Sequence, residues 1–304
     1  MCKSSLALTL FLVIILNLTA VEGFAEQQGT PVFGSTDPSK YREISDCHKG
    51  AGTIKLMSLL GSDIFKTNFL GVSAAEIPPE CSIGEHIHRY MEEIFIITDG
   101  NAQFTINGRT AELPPGSMVV CQKGSSHGIY NHTDKTIQWV YFAVSEEKGK
   151  GDAVDFNDDL ANTKVESPAP FLWTNLDRRL LKPASNAHDG KGTILFKRLW
   201  NSDSFKTKWE FIDHCILPPG TSIGYHQHNV IEEVYYLVSG SGRMTVNDVT
   251  WDVKAGDAIP CTLHDSHGLY NNGTDDIVLI VCSCNSKGKG ERDTNNWGDD
   301  LSGR

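Results

Sequence analysis

The chain has 304 residues, 39% hydrophobic and 21% charged, with 28 Gly and 12 Pro, a globular composition that is neither disordered nor collagen-like. Its 27 Lys and Arg stand against 38 Asp and Glu, a formal charge of −11, so no broad basic face is available and no nucleic-acid partner is expected. At roughly 150 residues per domain, the length suggests about two domains.

The first segment follows its own rule. Lys3 is the only charge ahead of an apolar run from Leu6 to Leu18, and small residues follow at Ala20, Gly23 and Ala25. That is the pattern of a secretory signal peptide over residues 1–23. The apolar run is shorter than the roughly 20 residues that span a bilayer, so no membrane span is expected and the mature chain should be secreted. Removal of the leader takes Cys2 and leaves Cys47, Cys81, Cys121, Cys215, Cys261, Cys282 and Cys284. None of these pairs has Cys-x-x-Cys spacing, so disulfides are the expectation for an oxidising compartment, with at least one thiol left over from the odd number.

Sliding the chain by 140 residues aligns His48–Asn131 with His188–Asn271 without a gap, and 31 of those 84 positions are identical. The chain is therefore an internal duplication. Shared landmarks are Gly-Thr-Ile at Gly52 and Gly192, Phe-Lys-Thr at Phe65 and Phe205, Pro-Pro at Pro78 and Pro218, and Ser-Ile-Gly at Ser82 and Ser222. Lys-Gly-Lys-Gly at Lys148 and Lys287 and Asp-Asp-Leu at Asp158 and Asp299 extend the match. The expected units are residues 48–160 and 188–304, joined by a proline-containing linker over 161–187.

Within each unit, short apolar runs alternate with polar residues, as in Ile94-Phe-Ile-Ile, Ala102-Gln-Phe-Thr-Ile and Ser117-Met-Val-Val-Cys. Turn pairs at Asp99-Gly100, Asn107-Gly108 and Pro115-Gly116 interrupt them. This predicts antiparallel strands joined by hairpins, all-β units closed as a sandwich or barrel.

Both copies keep polar residues that a strand core does not keep for packing: His86, His88, Glu93 and His127, then His226, His228, Glu233 and His267. Residues two apart on a strand share a face, so each His-x-His pair points one way. Meanwhile the residue between them drifts from Ile87 to Gln227, and Arg89 becomes Asn229. Three imidazoles and a carboxylate form a ligand set that suits Mn(II), Fe(II), Ni(II), Cu(II) or Zn(II), giving two divalent metal ions per chain. Glu92 and Glu232 compete for the carboxylate role.

These spacings resemble the cupin motifs. The pattern G-x5-H-x-H-x(3,4)-E-x6-G is met by Gly220, His226, His228, Glu233 and Gly240, and by the first copy with Glu80 in place of its leading Gly. The second motif, G-x5-P-x-G-x2-H-x3-N, is met by Gly116, Gly124, His127 and Asn131, and by Gly256, His267 and Asn271, with Gln122 or Thr262 at the proline and His264 at the inner Gly of the second copy. The resemblance selects Glu93 and Glu233 as ligands, with Glu92 and Glu232 pointing outward. It implies two tandem double-stranded β-helix (jelly-roll) barrels.

For function, the resemblance implies a secreted metalloenzyme, an oxidoreductase or dioxygenase, or a decarboxylase or lyase, acting on a small-molecule substrate. It is similar to oxalate decarboxylases and flavonol dioxygenases, although Ile87 and Gln227 stand where the oxalate enzymes carry Trp, and no pocket arginine is evident from the sequence. The alternatives are a non-catalytic storage-like or ligand-binding cupin and a module braced by structural metals. His264, three residues before His267, could serve the second site as a proton carrier. Asn131-His-Thr and Asn272-Gly-Thr are glycosylation sequons, with Asn272 the better candidate. A homo-oligomer is compatible with these readings.

Overall fold

The computed structural model describes residues 32–304. The signal peptide expected over residues 1–23 lies outside the described residues. Among the described residues no helix is long and apolar enough to cross a membrane.

The first barrel is built from β1 (Thr53–Gly61), β2 (Phe69–Ile77), β3 (Ser82–Ile87), β4 (Met91–Asp99), β5 (Ala102–Ile106), β6 (Arg109–Leu113), β7 (Ser117–Cys121), β8 (Ser126–Tyr130) and β9 (Ile137–Ser145). The second repeats the order as β10 (Thr193–Asn201), β11 (Trp209–Leu217), β12 (Ser222–Gln227), β13 (Ile231–Ser239), β14 (Ser241–Val246), β15 (Val249–Lys254), β16 (Asp257–Cys261), β17 (Ser266–Tyr270) and β18 (Ile277–Asn285). Each barrel closes a seven-stranded sheet over a five-stranded one, with antiparallel pairing throughout both sheets. The all-β jelly-roll expectation is met.

Local chemistry sets the hairpins. Asn107 and Gly108 join β5 to β6 with φ of 50° and 70°, the left-handed pair that a two-residue turn needs to match the strand twist. Asn247 and Asp248 do the same in the second barrel at 46° and 65°. The repeat thus conserves the turn geometry although Gly has become Asp.

The barrels exchange strands. Gly34–Ser35, ahead of the first barrel, pairs with β16 of the second, and Trp173–Asn175, ahead of the second barrel, pairs with β7 of the first. Between the barrels lies a shared apolar core in which Phe69, Phe142 and Val144 meet Trp209, Tyr236 and Cys284. Phe69 and Trp209, both fully buried, sit edge to face at 5.5 Å between ring centroids.

Glu92 and Glu232 point away from the barrel interiors, as alternation requires, but that face is buried: both are 0% exposed. Glu92 accepts the Lys206 and Thr207 amides at 2.8 and 2.7 Å and the Thr207 hydroxyl at 2.6 Å. Glu232 accepts the matching groups of Lys66 and Thr67 at 2.8, 2.9 and 2.5 Å. The duplicated Phe-Lys-Thr motif therefore exists to cap a buried carboxylate of the opposite barrel. A charge out of water persists only when it is satisfied in this way.

The disulfide expectation needs correction. All seven described cysteines are free, and five are buried. Cys121, Cys215, Cys261, Cys282 and Cys284 occupy strand positions where they act as small apolar side chains, and burial raises each thiol pKa.

Candidate metal centres

The eight residues singled out by the duplication converge as two sets of four. His86, His88, Glu93 and His127 each offer a ligand atom within 4.8 Å of the others, and so do His226, His228, Glu233 and His267. Strand register does the positioning: His127 on β8 lies opposite His86 on β3, and His267 on β17 lies opposite His226 on β12. Glu93 and Glu233 come from the facing seven-stranded sheets. Their carboxylates lie 2.9 Å from His127 Nε2 and 3.0 Å from His267 Nε2. His88 Nε2 is 3.4 Å from Glu93, and His228 Nε2 is 3.7 Å from Glu233.

Whether these residues fit a metal is decided at the other ring nitrogens. His86 Nδ1 is held by the Gly84 carbonyl at 2.9 Å, and His226 Nδ1 by Gly224 at 2.8 Å. His88 Nδ1 is held by the Asp152 carbonyl and His228 Nδ1 by Asp293. Those contacts fix the rings with Nε2 inward. Among the described residues, the Nε2 atoms of His88, His226 and His228 are buried without any hydrogen-bond partner. Orphaned inward nitrogens on rings pinned from behind are what a metal requires, so both sites fit a divalent transition metal.

The electrostatics agree. Burial, with the imidazoles of His127 and His48 nearby, pushes the His86 pKa down to about 2, which keeps its lone pair free. Burial, followed by His267 and His188, lowers His226 in the same way. Burial favours the neutral acid of Glu233, yet His228 and His267 overcome it and hold the carboxyl at about 2. Glu93 is lowered against its burial by His88 and His127.

The sequence reading missed a fourth histidine at each centre. His48 stacks on His86 with ring centroids 3.7 Å apart, and His188 stacks on His226 at 3.8 Å. His48 Nδ1 meets Asp155 at 2.8 Å, and His188 Nδ1 meets Asn296 at 3.2 Å. Both histidines are retained at the start of the duplicated segment, which was the available signal.

The centres open on unequal cavities. The second barrel holds one of about 280 Å3, lined by His228 and Glu233 at one part and by Arg198, Phe211, Asp213 and Arg292 elsewhere. The first holds about 100 Å3, walled by Phe95, Trp139 and Tyr141. The absence of a pocket arginine, read from the sequence, is thereby corrected: Arg198 and Arg292 are far apart in the chain, and only the fold brings them together. His264 is not among the residues lining the cavity. It lies exposed with its Nδ1 3.0 Å from Asn229 Oδ1, so the loop turns the ring outward. Asn131 is fully buried with its amide nitrogen donating to Ile77 and Lys135, whereas Asn272 is exposed.

The model of the cupin domain matches residues 74–143 and 213–283, the β2–β9 and β11–β18 portions of the two barrels. An oxalate-binding protein of Thermotoga maritima is 32% identical over 97 residues, covering 32% of this chain and 80% of that protein. The chain is a two-domain cupin. Among solved bicupins, oxalate decarboxylase of Bacillus subtilis, described with Mn(II) centres, shares the fold with a TM-score of 0.58 at 17% identity, covering 88% of this chain and 79% of that one. Salicylate 1,2-dioxygenase of Pseudaminobacter salicylatoxidans matches with a TM-score of 0.60 at 15% identity, covering 73% of each chain.

Proposed function

We propose that this bicupin is a secreted metalloenzyme that binds one divalent transition metal in each barrel and converts a small organic substrate, as an oxidoreductase or a lyase. The observation that carries the reading is the set of inward, partnerless imidazole nitrogens bordering a cavity large enough for a substrate. His86, His88, Glu93 and His127 would hold one ion, and His226, His228, Glu233 and His267 the other. Such an ion supplies Lewis-acid or redox chemistry. The protein's own contribution is to keep His86 and His226 neutral by burial, to orient the rings from behind through backbone carbonyls, and to wall the cavity with apolar side chains. The Mn(II) centres of the bacterial oxalate decarboxylase support manganese, with iron the next candidate. Secretion rests on the leader at residues 1–23, and Asn272 is the sequon open to glycosylation. The cramped first cavity favours a bracing role for the metal of that barrel.

The test is electron paramagnetic resonance of the Mn(II)-loaded protein during titration with small carboxylates and phenols. The second-barrel signal should change with added ligand, whereas spectra indifferent to every ligand would show closed centres and leave only the structural reading.

A further inference from the structure

The two barrels differ on the cavity wall away from the ligands. Arg198 donates Nε and Nη2 to the two carboxylate oxygens of Asp213, each at 2.7 Å. Arg292 donates Nε to Glu210 at 2.6 Å. Both guanidiniums also lie against the ring of Phe211, 4.0 and 5.3 Å from its centroid. Each fork is thus fixed by a buried carboxylate and an aromatic face. Among the described residues, Nη1 of Arg198 and both terminal nitrogens of Arg292 donate to nothing. The remaining acid on this wall, Asp293, is already taken up by the amides of Asn229 and Val230.

The first barrel has none of this. Ser58, Ser73, Leu70, Gly71 and Gly151 stand at the matching positions. Tyr141 replaces Val281, and it borders both the small cavity beside the metal ligands and a separate one of about 240 Å3 that contains Ser58, Gly71 and Ser73. The space that is continuous in the second barrel is divided in the first.

We propose that the second cavity is the substrate site and that it takes a small organic carboxylate with an apolar body, the carboxylate on the free N–H groups of Arg198 and Arg292. The body lies along Ile194, Phe196 and Val281 toward the His228 and Glu233 end. A cavity of about 280 Å3 has room for a single-ring acid and is larger than a two-carbon diacid fills. This inference rests on the proposed metalloenzyme reading and names its substrate class.

The test is calorimetric titration of the full-length protein, metal-loaded and metal-stripped, with benzoate as probe and benzyl alcohol as its neutral counterpart. Benzoate should bind once per chain, at least about tenfold more tightly than the alcohol, because charge-assisted hydrogen bonds separate the two. The double variant Arg198→Ser with Asp213→Ser strands no charge and installs the pair that the first barrel already tolerates. It should weaken benzoate about tenfold and leave benzyl alcohol unchanged. Arg292→Gln keeps a donor for Glu210 and should act in the same direction, so it decides the matter if the double variant does not fold. Equal affinities for the two probes, or benzoate binding untouched in both variants, overturns the inference. Two bound metals with no preference for benzoate would sink this inference alone, and benzoate selectivity in a chain that never holds metal would sink the metalloenzyme reading alone.

Discussion

Single residues carry the contrast between what a pattern reveals and what only packing reveals. The eight ligand candidates were legible because duplication preserved them while their neighbours drifted. His48 and His188 were preserved as well, but a lone histidine far from a motif has no spacing that announces a stacking role. His214 shows the opposite case, a polar residue in one barrel only, where the first barrel has Ala74. It is 1% exposed, neither ring nitrogen has a partner among the described residues, and burial, aided by Lys197, lowers its pKa to about 4. Between about pH 6.5 and 4 the unfolded chain therefore binds the extra proton. The neutral-pH stability is fully present above that window and is lost as pH falls through it. Relative to wild type, His214→Ala should gain about 3 kcal/mol at most on going from pH 7 to pH 4, with the titrations of all other groups cancelling in the comparison. Denaturant unfolding of both proteins at the two pH values checks this, and a difference that does not move with pH contradicts it.

At the scale of elements, strand alternation placed Glu92 and Glu232 correctly on the outward face, yet outward proved to be another barrel's loop. Sequence pattern reports which side of a sheet a residue faces and not what covers that side. The Phe-Lys-Thr segments were visible as repeats, and their role needed the reciprocal contacts to be seen. Each carboxylate there accepts only, from amides and a hydroxyl. Glu92→Gln would turn an amide donor toward those donors and should cost about 2–3 kcal/mol, with Glu232→Gln similar. Thr207→Val, which removes one hydroxyl bond, should cost about 1 kcal/mol. Thermal unfolding of the three variants measures the order. Glutamine variants as stable as wild type would mean that the caps do not hold the barrels together.

For the whole molecule, hairpin spacing and internal duplication were sufficient for two all-β barrels. The strand exchange was not legible, since Gly34–Ser35 and Trp173–Asn175 are too short to carry a pattern. Nor was the asymmetry of the cavities, which depends on arginines from β10 and from the segment after β18 meeting across one barrel. The two copies have thus kept one ligand set and diverged in what surrounds it. The central claim is that both sets hold metal, and counting bound ions in purified full-length protein tests it most directly. Wild type should carry close to two transition-metal ions per chain, and His86→Ala with His88→Ala, or His226→Ala with His228→Ala, should each carry one. A wild-type chain without metal, or either double variant still holding two ions, would contradict the account.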